Sequence, residues 1–60
     1  MPNYQADARS TQDDLDTDTT ALLEQINKGD WSEMRSTIDG MRELLDRLEA
    51  ISYEAEDNEA

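Results

Sequence analysis

Apolar residues recur through the second half of the chain at Trp31, Met34, Ile38, Met41, Leu45 and Leu48. Alternating steps of three and four are the a/d repeat of a helix that buries one stripe, and Leu44 and Ile51 widen that stripe on one side. The pattern predicts a helix over residues 31–53. Gly40 does not break it, because the register passes from Ile38 to Met41 to Leu45 without a slip; a mid-helix glycine costs about 1 kcal/mol relative to alanine. On a helical wheel Gly40 falls off the seam, where it either admits the close approach of a partner backbone or is simply exposed. The face opposite the seam carries Arg35 and Asp39, Arg42 and Asp46, and Glu43 and Arg47, each pair four residues apart and of opposite charge.

The first half repeats the helical pattern more thinly. Leu15, Leu22, Leu23 and Ile26 share one stripe, with Thr19 filling the step between Leu15 and Leu22. Ser10 or Thr11 can cap this helix, and Asp13, Asp14 and Asp16 put negative charge in the first turn, where the helix dipole favours it. Helix is therefore expected over residues 10–28, weakest before Thr20 because Thr17-Asp18-Thr19-Thr20 are poor helix formers. Residues 1–9 show no periodicity and read as a flexible arm carrying one free aromatic, Tyr4. Residues 54–60 read as an acidic tail whose charges oppose the dipole at the end of the second helix, so fraying is expected there.

The two helices meet at Asn27-Lys28-Gly29-Asp30-Trp31-Ser32-Glu33. Gly29 suits the left-handed position that ends a helix, and Lys28 places a cation in the last turn. Asp30 is a good N-cap for the next helix, and Glu33, three residues on, completes a capping-box pattern. A stop and a start this close leave no room for a strand or a long loop. The expected fold is all-α, a two-helix αα-hairpin over residues 10–53. A hairpin covers only one side of a three-position stripe, so its core is expected to be completed by dimerisation or by a partner protein.

Composition changes this picture in one respect, charge. Sixteen Asp and Glu against five Lys and Arg give a net charge of −11 in 60 residues. Such a field repels nucleic acid and anionic membranes and attracts basic protein surfaces. The same acidity also serves solubility, suits a high-salt proteome, or marks a disordered segment. A chain this short buries only about 60% of its unfolded surface. With no Cys and no His, neither disulfides nor zinc can reinforce it. The N-terminal residues lack the positive start and apolar run of a signal peptide, and nothing approaches the roughly 18 apolar residues of a membrane span, so an intracellular, cytoplasmic protein is expected.

Candidate chemistry is sparse. Asp14-Leu15-Asp16-Thr17-Asp18 with Glu24 resembles the opening of an EF-hand calcium loop over these few residues. It departs from that pattern in having Thr19 where the sharp turn needs glycine and Glu24 one position early. No metal site and no cofactor are expected. Catalysis would rest on carboxylates or hydroxyls in a chain with no evident cleft to desolvate them, which argues against an enzyme and against any catalytic residue. A glycine-rich phosphate loop and a basic groove for a nucleic acid strand are both missing from the sequence.

What remains is surface. Asp39, Glu43 and Asp46 run down the outer face of the second helix about 4.5 to 6 Å apart along the axis, near the roughly 3.4 Å axial repeat of phosphates along one nucleic acid strand. Asp57 continues the line if the helix extends that far. Asp13, Asp14, Asp16, Asp18 and Glu24 add carboxylates on the first helix, and exposed apolar surface near Trp31 is placed to add specificity. In size, charge and lack of catalytic groups the chain resembles phage-encoded inhibitors of the anti-CRISPR or anti-restriction kind and acidic antitoxins, a likeness of composition that covers no diagnostic motif. The expected function is a non-enzymatic binder of a Lys/Arg-rich protein surface, acting as a nucleic-acid mimic without binding nucleic acid or membrane itself. The alternative is a structural protein whose seam of Leu22, Ile26, Met34, Ile38, Met41, Leu45 and Leu48 forms a homodimeric or larger helical bundle.

Overall fold

A computed structural model describes residues 3–59. They form two helices, α1 (Tyr4–Lys28) and α2 (Trp31–Glu59), packed antiparallel as a hairpin with principal extents of 46 × 15 × 13 Å. This is the two-helix architecture the hydrophobic pattern predicts, with both helices longer at their outer ends.

The start of α1 lies six residues before Ser10. Asn3 supplies the cap: its Oδ1 accepts the Ala6 N–H at 3.0 Å, and its carbonyl accepts the Asp7 N–H at 3.1 Å. Neither Ser10 nor Thr11 is a cap. Residues 4–9, read from the sequence as an arm, are helical because Tyr4 and Ala8 extend the packing stripe backwards. The Tyr4 hydroxyl accepts a hydrogen bond from Asn58 Nδ2 at 3.0 Å, so this aromatic joins the outer ends of the two helices and is not free. α2 correspondingly continues past Tyr53 through most of the expected tail, to Glu59.

Threonines inside α1 are accommodated by bonding their hydroxyls back to the carbonyl one turn earlier. Thr11 donates to Asp7 O, Thr17 to Asp13 O, Thr19 to Leu15 O and Thr20 to Asp16 O, at 2.8–3.3 Å. The Thr17–Thr20 run thus stays helical.

The turn combines two motifs. Gly29 sits at φ 70°, ψ 25°, and the bonds Gly29 N–H to Ile26 O (3.1 Å) and Asp30 N–H to Gln25 O (2.9 Å) make the paired closure of a Schellman motif. Asp30 then caps α2 through Oδ1 to the Glu33 N–H at 3.4 Å. The reciprocal half of the capping box does not form, because the Asp30 N–H that Glu33 would reach is already committed to Gln25.

Each helix buries one heptad stripe against the other. On α1 it is Tyr4, Ala8, Thr11, Leu15, Asp18, Leu22 and Gln25, and on α2 it is Met34, Thr37, Met41, Leu44, Leu48, Ile51 and Ala55. Burial is deepest at Thr11 (2% exposed) and Leu15 (8% exposed). Three assignments from the sequence change. Leu44, not Leu45, faces α1; Asp18, not Thr19, fills the step between Leu15 and Leu22; Ile26 and Trp31 lie outside the packed stripe. The reason is that α2 carries two overlapping stripes sharing Met34, Met41 and Leu48. The hairpin uses the one through Thr37, Leu44 and Ile51, and leaves Trp31, Ile38 and Leu45 on its edge. A polar bond, Thr37 Oγ1 to Gln25 Oε1 at 2.9 Å, closes the packed stripe near the turn.

Candidate functional site

Two shallow grooves flank the line where the helices touch, each of about 340 Å³, and they differ in chemistry. One is lined by Tyr4, Gln5, Ala8, Leu48, Ile51 and Ser52, with Ala55 at its end. The other is lined by Asp7, Ser10, Thr11, Arg47 and Ile51.

Residues seven apart in a packed helix pair share a flank, so these linings identify both flanks along their length. Stepping from Gln5 along α1 gives Gln12, Thr19 and Ile26; stepping from Ser52 along α2 gives Leu45, Ile38 and Trp31. None of these eight residues is charged. Stepping from Asp7 gives Asp14, Ala21 and Lys28, and stepping from Arg47 gives Gly40, Glu33 and Glu54. Six of those eight are charged. The hairpin therefore has an uncharged flank, apolar toward the turn, and a charged flank. Gly40 belongs to the charged flank and looks toward α1: a methyl group placed on it would lie 3.9 Å from Asp18 Oδ2. The sequence leaves Gly40 either open to a partner backbone or simply exposed; it is instead half-buried and faces α1 of its own chain.

The uncharged flank holds most of the exposed large apolar side chains. Trp31 is 55% exposed, Leu45 53% and Ile26 46%, and Leu23 stands beside them at 61%.

The acidic candidates separate. On α2, Asp39, Glu43 and Asp46 are all exposed on the face turned away from α1, and Asp57 continues their line because the helix reaches it. On α1 the cluster disperses, as consecutive helical positions must. Asp13 points outward, Asp14 falls on the charged flank, Asp16 lies toward the uncharged one, and Asp18 is half-buried against α2. Glu24 is exposed and bonded to Lys28 Nζ at 3.0 Å.

Arg42 Nη1 meets Asp39 Oδ1 at 3.7 Å, three residues away. None of the three expected four-residue pairs forms; all six side chains are exposed, where an ion pair gains little over hydration. Among the described residues these two ion pairs engage only two carboxylates, which leaves the acidic rows uncompensated within the chain.

Asp14–Asp18, whose spacing resembles a calcium loop, is uninterrupted helix, so its carboxylates point around the helix and do not converge. Among the described residues no group of three acidic side chains is placed to hold a metal ion, and no helix is long and apolar enough to cross a membrane. Both grooves are open to solvent and neither encloses a carboxylate. Their chemistry suits contact with a surface. Sequence reasoning missed Asp7 and the groove beside Tyr4, which depend on the helical stretch before Ser10, with the Asn3 cap as its signal, and it set Arg47 on the outer face where the structure places it on the charged flank. No protein-family model matches the chain, and neither a curated protein nor a solved structure matches it.

Proposed function

We propose that this chain is a non-enzymatic acidic binding protein that occupies a Lys/Arg-rich surface of a partner, acting as a nucleic-acid mimic that inhibits a nucleic-acid-binding protein in the cytoplasm. One observation carries the reading. Asp39, Glu43, Asp46 and Asp57 stand exposed along one helical face of a rod 46 Å long, with a single 3.7 Å contact to Arg42 as their only ion pair among the described residues. Carboxylates held on a helix keep their spacing without a folding cost at the moment of binding, and charge-assisted bonds to Lys and Arg supply both steering and affinity. Inhibition follows by occupation of the surface that phosphates would use, in the manner of phage-encoded anti-CRISPR or anti-restriction proteins or of antitoxins.

The test is capture from a cell lysate on immobilised protein, followed by elution with salt and, separately, with duplex DNA. The expected result is retention of nucleic-acid-binding proteins that either eluant releases, and loss of that retention with Asp39→Lys combined with Asp46→Lys. Both substitutions lie on the outer face and leave the hairpin intact. Retention that survives the double substitution, or that DNA cannot displace, would overturn the reading.

A further inference from the structure

From the uncharged flank we infer that a second copy of this chain covers it, forming a two-fold symmetric four-helix bundle with the two turns at opposite ends. The inference is independent of the acidic-mimic reading, because Asp39, Glu43 and Asp46 lie on the face of α2 turned away from α1 and are not among the flank positions that the second copy covers.

Three observations point to a second copy. The first is composition by position. In a chain with 21 charged residues, eight consecutive flank positions carry none, while the matching positions on the other flank carry six. Selective removal of charge along the whole length of a hairpin marks a face that is covered along that length. The second is size. A face of 46 by 15 Å offers about 700 Å² in projection, close to the roughly 800 Å² that each partner contributes to a stable interface of standard size. A ligand-sized contact would leave most of it wet.

The third is self-complementarity. A two-fold axis through Leu45 sets α2 antiparallel to its copy, with Leu45 facing Leu45 and Ile38 facing Ser52. The protruding apolar end near the turn then lies over the groove beside Tyr4 and Ala8 in the other copy, and the reverse contact repeats it. At the outer rim of this flank α2 carries Arg35, Arg42, Glu49 and Glu56, seven apart, two positive and then two negative. The same axis brings Arg42 to Glu49 of the second copy and Arg35 to Glu56, each pair made twice. The Arg42 side chain is 74% exposed and, among the described residues, its one ion pair is the 3.7 Å contact to Asp39, so it is able to turn. These rim pairs set orientation more than affinity.

Sedimentation equilibrium of the full chain across micromolar to near-millimolar concentrations, at about 0.15 M salt to screen the repulsion between two acidic chains, reads the outcome directly. The expected result is a reversible transition from 6.9 kDa to twice that mass. Leu45 does not face α1, so Leu45→Glu keeps the hairpin, checked by its helical circular dichroism. It should raise the dissociation constant at least about a hundredfold, since each dimer loses two central leucines. Arg42→Glu and Glu49→Arg should each weaken the dimer about tenfold, and the two together should restore it. A wild-type chain that stays monomeric throughout, with the face left to some other protein, would overturn the inference. A dimer untouched by Leu45→Glu, or a charge swap that fails to restore association, would do the same.

Discussion

Replacing either glycine by alanine tests the local physics of the hairpin, because the same substitution should act with opposite sign at the two positions. Gly40 lies in regular helix, at negative φ, and among the described residues an added methyl would meet Asp18 Oδ2 of α1 at an ordinary 3.9 Å. Nothing has to move. The substitution therefore gains the difference in helix propensity, about 1 kcal/mol, mainly by restricting the unfolded chain. For a domain of this size that should raise Tm by roughly 4–8 °C. Gly29 is the converse case. A methyl group there meets no atom within 4 Å, yet the residue sits at φ 70°. A side chain in that conformation costs about 1–2 kcal/mol from its own backbone, so Tm should fall by a comparable or larger amount. Thermal melts followed by circular dichroism at fixed protein concentration give both numbers. A lowered Tm for Gly40→Ala would show that the space beside Asp18 is not empty in solution, and an unchanged Tm for Gly29→Ala would show that the turn does not need its left-handed residue.

Other substitutions probe the packing and the ends. Leu15→Ala should cost about 2–4 kcal/mol, as for other buried leucines, and denaturant titration should place it well above Leu45→Ala in dilute protein; equal costs would contradict the assignment of the packed stripe. Asn3→Ala should cost about 1 kcal/mol and speed amide hydrogen exchange in the first turn of α1, leaving the turn at Gly29 unaffected. Added sodium chloride should raise Tm, because screening relieves the mutual repulsion of the carboxylates. A flat salt response would mean that this repulsion has no part in the stability.

The hairpin was legible because its turn is written in local chemistry. Gly29, Lys28 and Asp30 each favour one conformation for reasons that need no tertiary contact. The second helix was legible for a similar reason, as its large apolar residues recur without interruption. The stripe that α1 uses was harder to see, since it is built from Tyr4, Ala8, Thr11, Asp18 and Gln25 as much as from leucine. Small and polar residues signal burial only once a partner helix is in place. Leu44 and Leu45 are adjacent and identical, so periodicity alone could not decide between them; the register of α1 does. The acidic face of α2 was readable from spacing, whereas the cluster Asp13–Asp18 was a cluster only along the chain and disperses in space.

The bond between Tyr4 and Asn58 has a mechanical consequence. It joins the two helices at the end opposite the turn, where the chain enters and leaves the hairpin. Tension applied between those ends loads the helix pair as a zipper and not in shear. The first contact to part is that exposed hydrogen bond, and separation then travels one layer of the packed stripe at a time, three or four residues per step, through Ala8 and Ile51, Thr11 and Leu48, and Leu15 and Leu44 toward Gly29. The hairpin should therefore open at low force and in one direction, with the turn the last element to come apart.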